Sequence, residues 1–156
     1  MKEIKTVPRV AVNVLLLRGT KILLGLRTTV PPMWSPPGGH LLKNETLLQC
    51  ARREVHEETG LRIRNVRVTQ FINDRNFTDD THYLNVFLVA ESAPGSPTNG
   101  EPEDFSAWNW FDIRALPKPL YFNIRNLLKH ASLTDLRKCR RSALVESTTP
   151  RRKAPP

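Results

Sequence analysis

The stretch GHLLKNETLLQCARREVHEETGL, from Gly39 to Leu61, gathers Glu45, Glu54, Glu57 and Glu58 beside the pair Arg52 and Arg53. Thr46 with Gln49 three residues on is a capping box, and Gly60 is a left-handed stop. The spacing therefore predicts a helix over 46–59. At about 100° per residue, Glu54, Glu57 and Glu58 fall on one side of it, and Leu48, Ala51 and Val55 form the core stripe a quarter turn away. Glu57 and Glu58 lie in the last turn, where the helix dipole disfavours negative charge by about 0.3–1 kcal/mol each. Arg53 reaches Glu57 at i,i+4, but one guanidinium cannot neutralise three carboxylates. A hard divalent cation can, since such ions take oxygen ligands and are commonly shared with substrate phosphates. The approach Pro36-Pro37-Gly38-Gly39 lets backbone come close to a ligand or a neighbouring helix. Together these features point to phosphoryl or pyrophosphoryl chemistry. A bare E-x-x-E-E would more often be a solvated acidic face; the pattern here is longer.

Outward from that helix, the 156 residues suffice for one domain with a real core. The 39% hydrophobic and 25% charged content is that of an ordinary globular chain. No apolar run reaches a membrane span and no signal-peptide pattern opens the sequence, so a cytoplasmic protein without membrane contact is expected. Two cysteines, Cys50 and Cys139, are too few for a disulfide framework or a cysteine zinc site. Net charge is +9, and from Ala131 onward seven Lys or Arg face only Asp135 and Glu146. Much of the basicity thus sits in a tail, 131–156, where hydrophobicity fades and disorder is expected. The domain proper is expected to end at residue 130.

Val10–Leu17 and Ile22–Leu26 read as a strand hairpin, and the Pro/Gly-rich segment 28–39 as a shaped loop. Strands are expected over 61–71, 83–90 and 108–111. Loops are expected over 73–81 and 91–106, with a helical turn at 112–116. A second amphipathic helix is expected over 122–130. Strands mixed with two helices indicate an α/β domain around a mixed sheet.

Gly39, Glu45 and the run Arg53-Glu54-Val55-His56-Glu57-Glu58-Thr59-Gly60-Leu61 fill every fixed position of the Nudix box: G, five residues, E, seven residues, R-E-U-x-E-E-x-G-U, with U a bulky aliphatic. The chain is identified on these residues as a member of the Nudix hydrolase family. Residues 8–130 resemble the small nucleoside-triphosphate pyrophosphatases of that family, the MutT-like group containing the 8-oxo-dGTP-cleaving enzymes of plants and animals. The flanking segments carrying this are Pro37-Gly-Gly-His40, His82-Tyr83, Glu101-Pro-Glu103, Trp108-Asn-Trp110 and Leu116–Phe122.

The resemblance implies an α/β/α sandwich and hydrolysis of a phosphoanhydride with Mg²⁺ or Mn²⁺. Glu57 and Glu58 would be principal metal ligands. Glu54 would be a further ligand or the group that orients water, and the Gly39 carbonyl would join the metal shell. Arg53 would hold a glutamate by a bidentate pair, and Glu45 would support the loop. A distal carboxylate, Glu103 ahead of Glu101, would serve as ligand or base. Trp34, Tyr121 and Phe122 are candidates to border a nucleobase, with Phe77 more remote and Trp110 assigned to the core. Leu42 stands where many relatives have an acid, and Asn44 where they have glycine; Asn tolerates the left-handed conformation that glycine supplies.

The expected reaction is cleavage of a (deoxy)nucleoside triphosphate or modified nucleotide to monophosphate and pyrophosphate, a nucleotide-pool-cleaning activity. The alternatives are capped RNA, dinucleoside polyphosphates, ADP-ribose or a prenyl diphosphate as substrate, or a ligand-binding module that does not cleave. The basic tail is a candidate nucleic-acid contact, weighed below a solubilising role. Small members of the group often form homodimers.

Overall fold

The computed structural model describes residues 7–76 and 81–138. Expectations for Phe77, Cys139 and the tail beyond Lys138 lie outside the described residues. The elements are β1 (Arg9–Arg18), β2 (Lys21–Arg27), β3 (Trp34–Ser35), β4 (Gly38–His40), α1 (Leu47–Thr59), β5 (Ile63–Asn76), β6 (Thr81–Ser92), β7 (Phe105–Asp112), α2 (Phe122–Leu127) and α3 (Leu133–Lys138).

β1 and β2 pair only at the base of their hairpin, Leu17 with Ile22 and Arg18 with Lys21. Beyond that point they part. β1 runs parallel to β6 from Arg9↔Tyr83 to Leu17↔Glu91 and takes β4 on its other edge. β2 instead runs antiparallel to β7 and β3. The sheet is mixed, with β5 as the antiparallel neighbour of β6. The splay between β1 and β2 opens a cleft, and the functional cluster lies beside it.

β1 is buried along most of its length because both of its faces are covered, as parallel-paired strands generally are. Val12, Val14 and Leu16 point into a core shared with Ala51 and Val55 of α1. Leu15 and Leu17 point the other way, into a core closed by Ile124 and Leu127 of α2 and by Leu133 and Leu136 of α3. Helices on both faces of a mixed sheet make an α/β/α sandwich.

Several boundaries differ from the sequence reading. Trp34–Ser35 and Gly38–His40, expected as loop, form short strands. β5 continues through residue 76, into the expected polar loop, because its hydrogen bonds to β6 continue there. α2 stops at Leu127 rather than running to His130. The fading hydrophobicity after Ala131 hides a final helix: a six-residue segment is too short to hold helix by itself. Burial of Leu133 and Leu136, each about 1.5–3 kcal/mol, supplies what local propensity lacks. Of the two strand tryptophans, Trp108 is the buried one. Trp110 packs against the core from a partly exposed position under the Arg18 guanidinium, 4.4 Å from the ring centroid. Among the described residues no helix is long and apolar enough to cross a membrane.

Candidate active site

α1 begins and ends as its sequence dictates. Thr46 Oγ1 accepts from the Gln49 N–H at 3.1 Å, and the Gln49 side chain accepts from the Thr46 N–H at 2.9 Å. Gly60 closes the helix at φ 68° and donates to the His56 carbonyl. Between these caps Cys50, Ala51 and Val55 are fully buried, while Leu48 is only partly so.

The three box glutamates do not share one environment. Glu54 and Glu58 are 9% and 3% exposed, whereas Glu57 is open to solvent. The difference comes from the Gly38–His40 strand, which crosses the Glu54 and Glu58 side of the helix. The Glu58 carboxylate accepts from the Gly38 N–H at 3.0 Å. Gly39 approaches so closely that a Cβ there would collide with the Glu54 carboxylate. Only glycine fits, which accounts for the first residue of the motif.

Arg53 organises the acids. Its Nε and Nη2 donate to the two oxygens of Glu45 at 2.7 and 2.9 Å, a bidentate fork. Its Nη1 donates to Glu54 at 2.7 Å and to Glu57 at 3.1 Å, and Nη2 also reaches the His40 carbonyl at 3.1 Å. The Arg53 bond holds the Glu45 carboxyl below the usual range, and the same contacts raise the guanidinium further above its already high value. Glu45 also accepts from the Leu42 N–H at 3.1 Å, locking a turn in which Asn44 adopts φ 65°. An asparagine is accepted there because it visits that region more readily than most side chains.

Burial raises the Glu54 carboxyl; Arg53 opposes this, and Glu57 and Glu101 add to it. Burial pushes Glu58 up to about 9, against the lowering effect of the Gly38 N–H and with further raising by Glu54 and Glu101. Burial likewise raises the Cys50 thiol to about 12, leaving a packed group rather than a nucleophile.

Glu101 reaches this neighbourhood because the segment 98–100 caps the end of α1. The Thr98 N–H donates to the Thr59 carbonyl at 2.9 Å and the Gly100 N–H to the Glu58 carbonyl at 3.0 Å. Carbonyls left without helical partners are thereby satisfied, and Glu101 follows directly in the chain. Glu103, the expected favourite, shows no such coupling to the helix acids; its carbonyl accepts from Thr28 Oγ1 at 2.6 Å.

The cleft beside these acids has a volume of about 270 Å³. Gly38 and Gly39 form the wall between the cleft and the carboxylates. Tyr121 and Phe122 line it, as expected. Trp34 does not: its ring meets Phe111 edge-on at 4.7 Å and packs on the second core, while its backbone brackets residues 119–121. Other lining residues were not among the sequence candidates. His40 stacks on Tyr83 with centroids 5.8 Å apart. Arg27 enters from the end of β2 between the rings of Phe105 and Tyr121, 5.0 and 4.9 Å from their centroids. Its Nε is buried without a hydrogen-bond partner among the described residues. Asn13, Asn85 and Asn123 complete the floor. The first two carried a visible signal, a lone amide inside each of the apolar strands VAVNVLLL and YLNVFLVA.

Among the described residues no three acidic, histidine or cysteine side chains already converge on one point as ligands. The reason is visible: Arg53 draws Glu54 and Glu57 aside, and Gly38 holds Glu58. The donor set is nevertheless all oxygen, and the buried carboxylates raise one another. A hard dication suits both features.

The NUDIX domain model matches residues 7–131. The NAD-capped RNA hydrolase NudC of Chromobacterium violaceum is 37% identical over 131 residues, covering 80% of this chain and 47% of that protein. The phosphatase NudJ of Shigella boydii is 30% identical over 89 residues, 55% of this chain and 56% of that one. The chain thus spans about half the length of these curated relatives. A solved MutT NUDIX hydrolase from Burkholderia pseudomallei superposes with a TM-score of 0.74 at 27% identity, over 80% of this chain and 98% of that one. With the family model covering most of its length and its box glutamates gathered by Arg53 beside the cleft, the chain belongs to the Nudix hydrolase family.

Proposed function

We propose that the chain is a divalent-metal-dependent pyrophosphohydrolase that cleaves a (deoxy)nucleoside triphosphate, or a modified form of one, to monophosphate and pyrophosphate. The observation that carries this reading is the juxtaposition of two surfaces across one glycine wall. On one side Glu54, Glu57 and Glu58 are arrayed by Arg53; on the other lies a cleft with aromatic sides and an amide floor. Carboxylates suit a metal and its phosphates, and the cleft suits a base.

Glu54, Glu57 and Glu58, with the Gly39 carbonyl, would hold Mg²⁺ or Mn²⁺, which when bound polarises the phosphate and lowers the pKa of water. The chain's own groups supply the rest. Arg27, with an unpartnered buried Nε facing the cleft, binds a phosphate oxygen. Tyr121 and Phe122 stack on the base. Glu54, buried and raised, is suited to orient the attacking water and take up its proton. Glu101 supports that cluster from the capping segment, a role for which its coupling to Glu54 and Glu58 ranks it above Glu103. Water attacks a phosphorus, one bridging P–O bond breaks, and the leaving phosphate departs with that bond's electron pair.

Similarity to the NAD-capped RNA hydrolase favours a second reading, a dinucleotide or capped-RNA diphosphate as substrate. One experiment separates the two. Purified protein with Mg²⁺ or Mn²⁺ is offered nucleoside triphosphates, ADP-ribose, dinucleoside polyphosphates and NAD-capped RNA, with products resolved in ¹⁸O water. Monophosphate plus pyrophosphate from a triphosphate supports the first reading. Turnover confined to the diphosphate-linked substrates replaces it with the second, and binding without turnover would make the chain a sensing module.

A further inference from the structure

The floor of the cleft is a single directed chain of amides. The Asn123 Nδ2 donates to Asn13 Oδ1 at 2.6 Å, the Asn13 Nδ2 to Asn85 Oδ1 at 3.0 Å, and the Asn85 Nδ2 to Asp74 Oδ2 at 2.7 Å. The three asparagines are 4%, 3% and 7% exposed at positions 13, 85 and 123, and they come from β1, β6 and α2. An isolated amide chain could run in either direction. This one cannot, because both ends are groups with one role. The Ile124 backbone N–H can only donate, and it meets Asn123 Oδ1 at 2.6 Å. A carboxylate offers only acceptors, and Asp74 takes Asn85 on one oxygen and the Asn126 Nδ2 on the other at 2.8 Å. The two anchors agree on one direction.

Each asparagine oxygen therefore already accepts one hydrogen bond, and each amide nitrogen has given one of its two hydrogens. A carbonyl oxygen with one partner is satisfied, whereas a buried N–H without one is costly. The outstanding demand of the floor is for acceptors, and the unpartnered Arg27 Nε in the same cleft adds a further donor.

We propose that this amide chain reads the base, that Asp74 outside the cleft is the positioning residue that fixes its polarity, and that the cleft consequently prefers bases presenting an acceptor edge, 6-oxopurines over 6-aminopurines. This rests on the reading of the cleft as a nucleotide site. A purine with O6 and N7 offers two adjacent acceptors, whereas a 6-amino group would set its own donors against the floor. A site built to hydrogen-bond one pattern discriminates against its inverse, here by about tenfold or more.

The test is metal-free calorimetric binding of inosine monophosphate and adenosine monophosphate, which differ in hydrogen-bonding polarity at the 1 and 6 positions. Wild type should bind the inosine form at least about tenfold more tightly. Asn13→Asp, isosteric but without a donor, should bring the ratio to one or invert it. Asp74→Asn leaves one oxygen for two amides and should lower the ratio about threefold or more; Asp74→Glu should restore most of it. Equal binding of the two nucleotides by wild type, or an unchanged ratio in Asn13→Asp, overturns the proposal while leaving the nucleotide site standing. Should Asn13→Asp not fold, an unchanged ratio in Asp74→Asn overturns it equally. If neither monophosphate binds at millimolar concentration, the nucleotide reading fails together with this inference.

Discussion

Two polar clusters face each other across Gly38 and Gly39, and they are built in opposite ways. The carboxylate cluster is local: Glu45, Arg53, Glu54, Glu57 and Glu58 lie within one capped helix and its entry turn, and one guanidinium connects four of them. The amide cluster is long-range: Asn13, Asp74, Asn85 and Asn123 come from four separate elements, and the Asn123–Asn13 bond spans 110 positions. The local cluster concentrates charge that a helix alone would not tolerate, whereas the long-range cluster spends its polarity internally and presents a neutral, directed surface. The first suits transferring phosphorus, which needs charge compensation. The second suits telling one uncharged base from another, which needs fixed donors.

The sharpest way to break this division is Glu57→Gln. Glu57 is the exposed acid of the helix and lies outside the core, so the fold should persist. Loss of a would-be metal ligand should lower kcat by at least about a hundredfold. Base selectivity measured with monophosphates should stay unchanged. A mutant with wild-type turnover, assayed with Mg²⁺ over a range of concentrations, would remove the carboxylates from the chemistry. Arg53→Lys comes next. An ammonium cannot reproduce the fork to Glu45 while also reaching Glu54 and Glu57. Activity should fall about tenfold to a hundredfold, the cost usual for a group that orients ligands. Circular dichroism should report an intact fold, and added metal should recover part of the loss.

The distal acids offer a finer contrast. Glu101→Gln should lower kcat by about tenfold, whereas Glu103→Gln should change it by less than about twofold. Parallel steady-state assays of the two variants decide it, and the reverse order would return the role to Glu103.

The same contrast explains what the amino-acid sequence disclosed. The carboxylate site was legible because capping, periodicity and acid spacing are all local; Thr46, Gln49 and Gly60 bound the helix within a residue of expectation. The separate burial of Glu54 and Glu58 was not legible, since it depends on β4 crossing the helix, and β4 forms only by pairing with β1. Glu101 and Glu103 could not be ranked from sequence because the choice rests on Gly100 docking against α1. Trp34 resembled a cleft aromatic until the pairing of β3 with β2 turned it to the second core. The amide floor was the least legible. Two lone asparagines in apolar strands were visible, but the register of a parallel pair separated by two other strands and a helix decides whether they meet. α3 was missed for a related reason, its stability coming from Leu133 and Leu136 in the distant core.

The smallest predicted effect tests whether the local cluster is held against its own repulsion when no cation is bound. Glu58 is pushed up to about 9 by burial, well above an unfolded carboxylate near 4.5. Between those values the folded chain holds a proton that the unfolded chain has lost. The native state therefore binds more protons, and stability falls with rising pH. Glu58's contribution is complete below about pH 4.5 and is lost as pH climbs through about 9. Glu54, raised in the same direction, adds to the trend. In chelator-treated protein, Tm should decline between pH 6 and 9 beyond the drift of a Glu58→Gln control, and at pH 8 that variant should melt higher by about 4 °C, the shift of roughly one kcal/mol in a domain of this size. Added Mg²⁺ should reverse the sign, because a dication competes with the proton and binds better as the carboxylates ionise. A metal-free Tm that rises over this range, or a slope equal in wild type and Glu58→Gln, would mean that the buried glutamate is not the stressed group its surroundings make it.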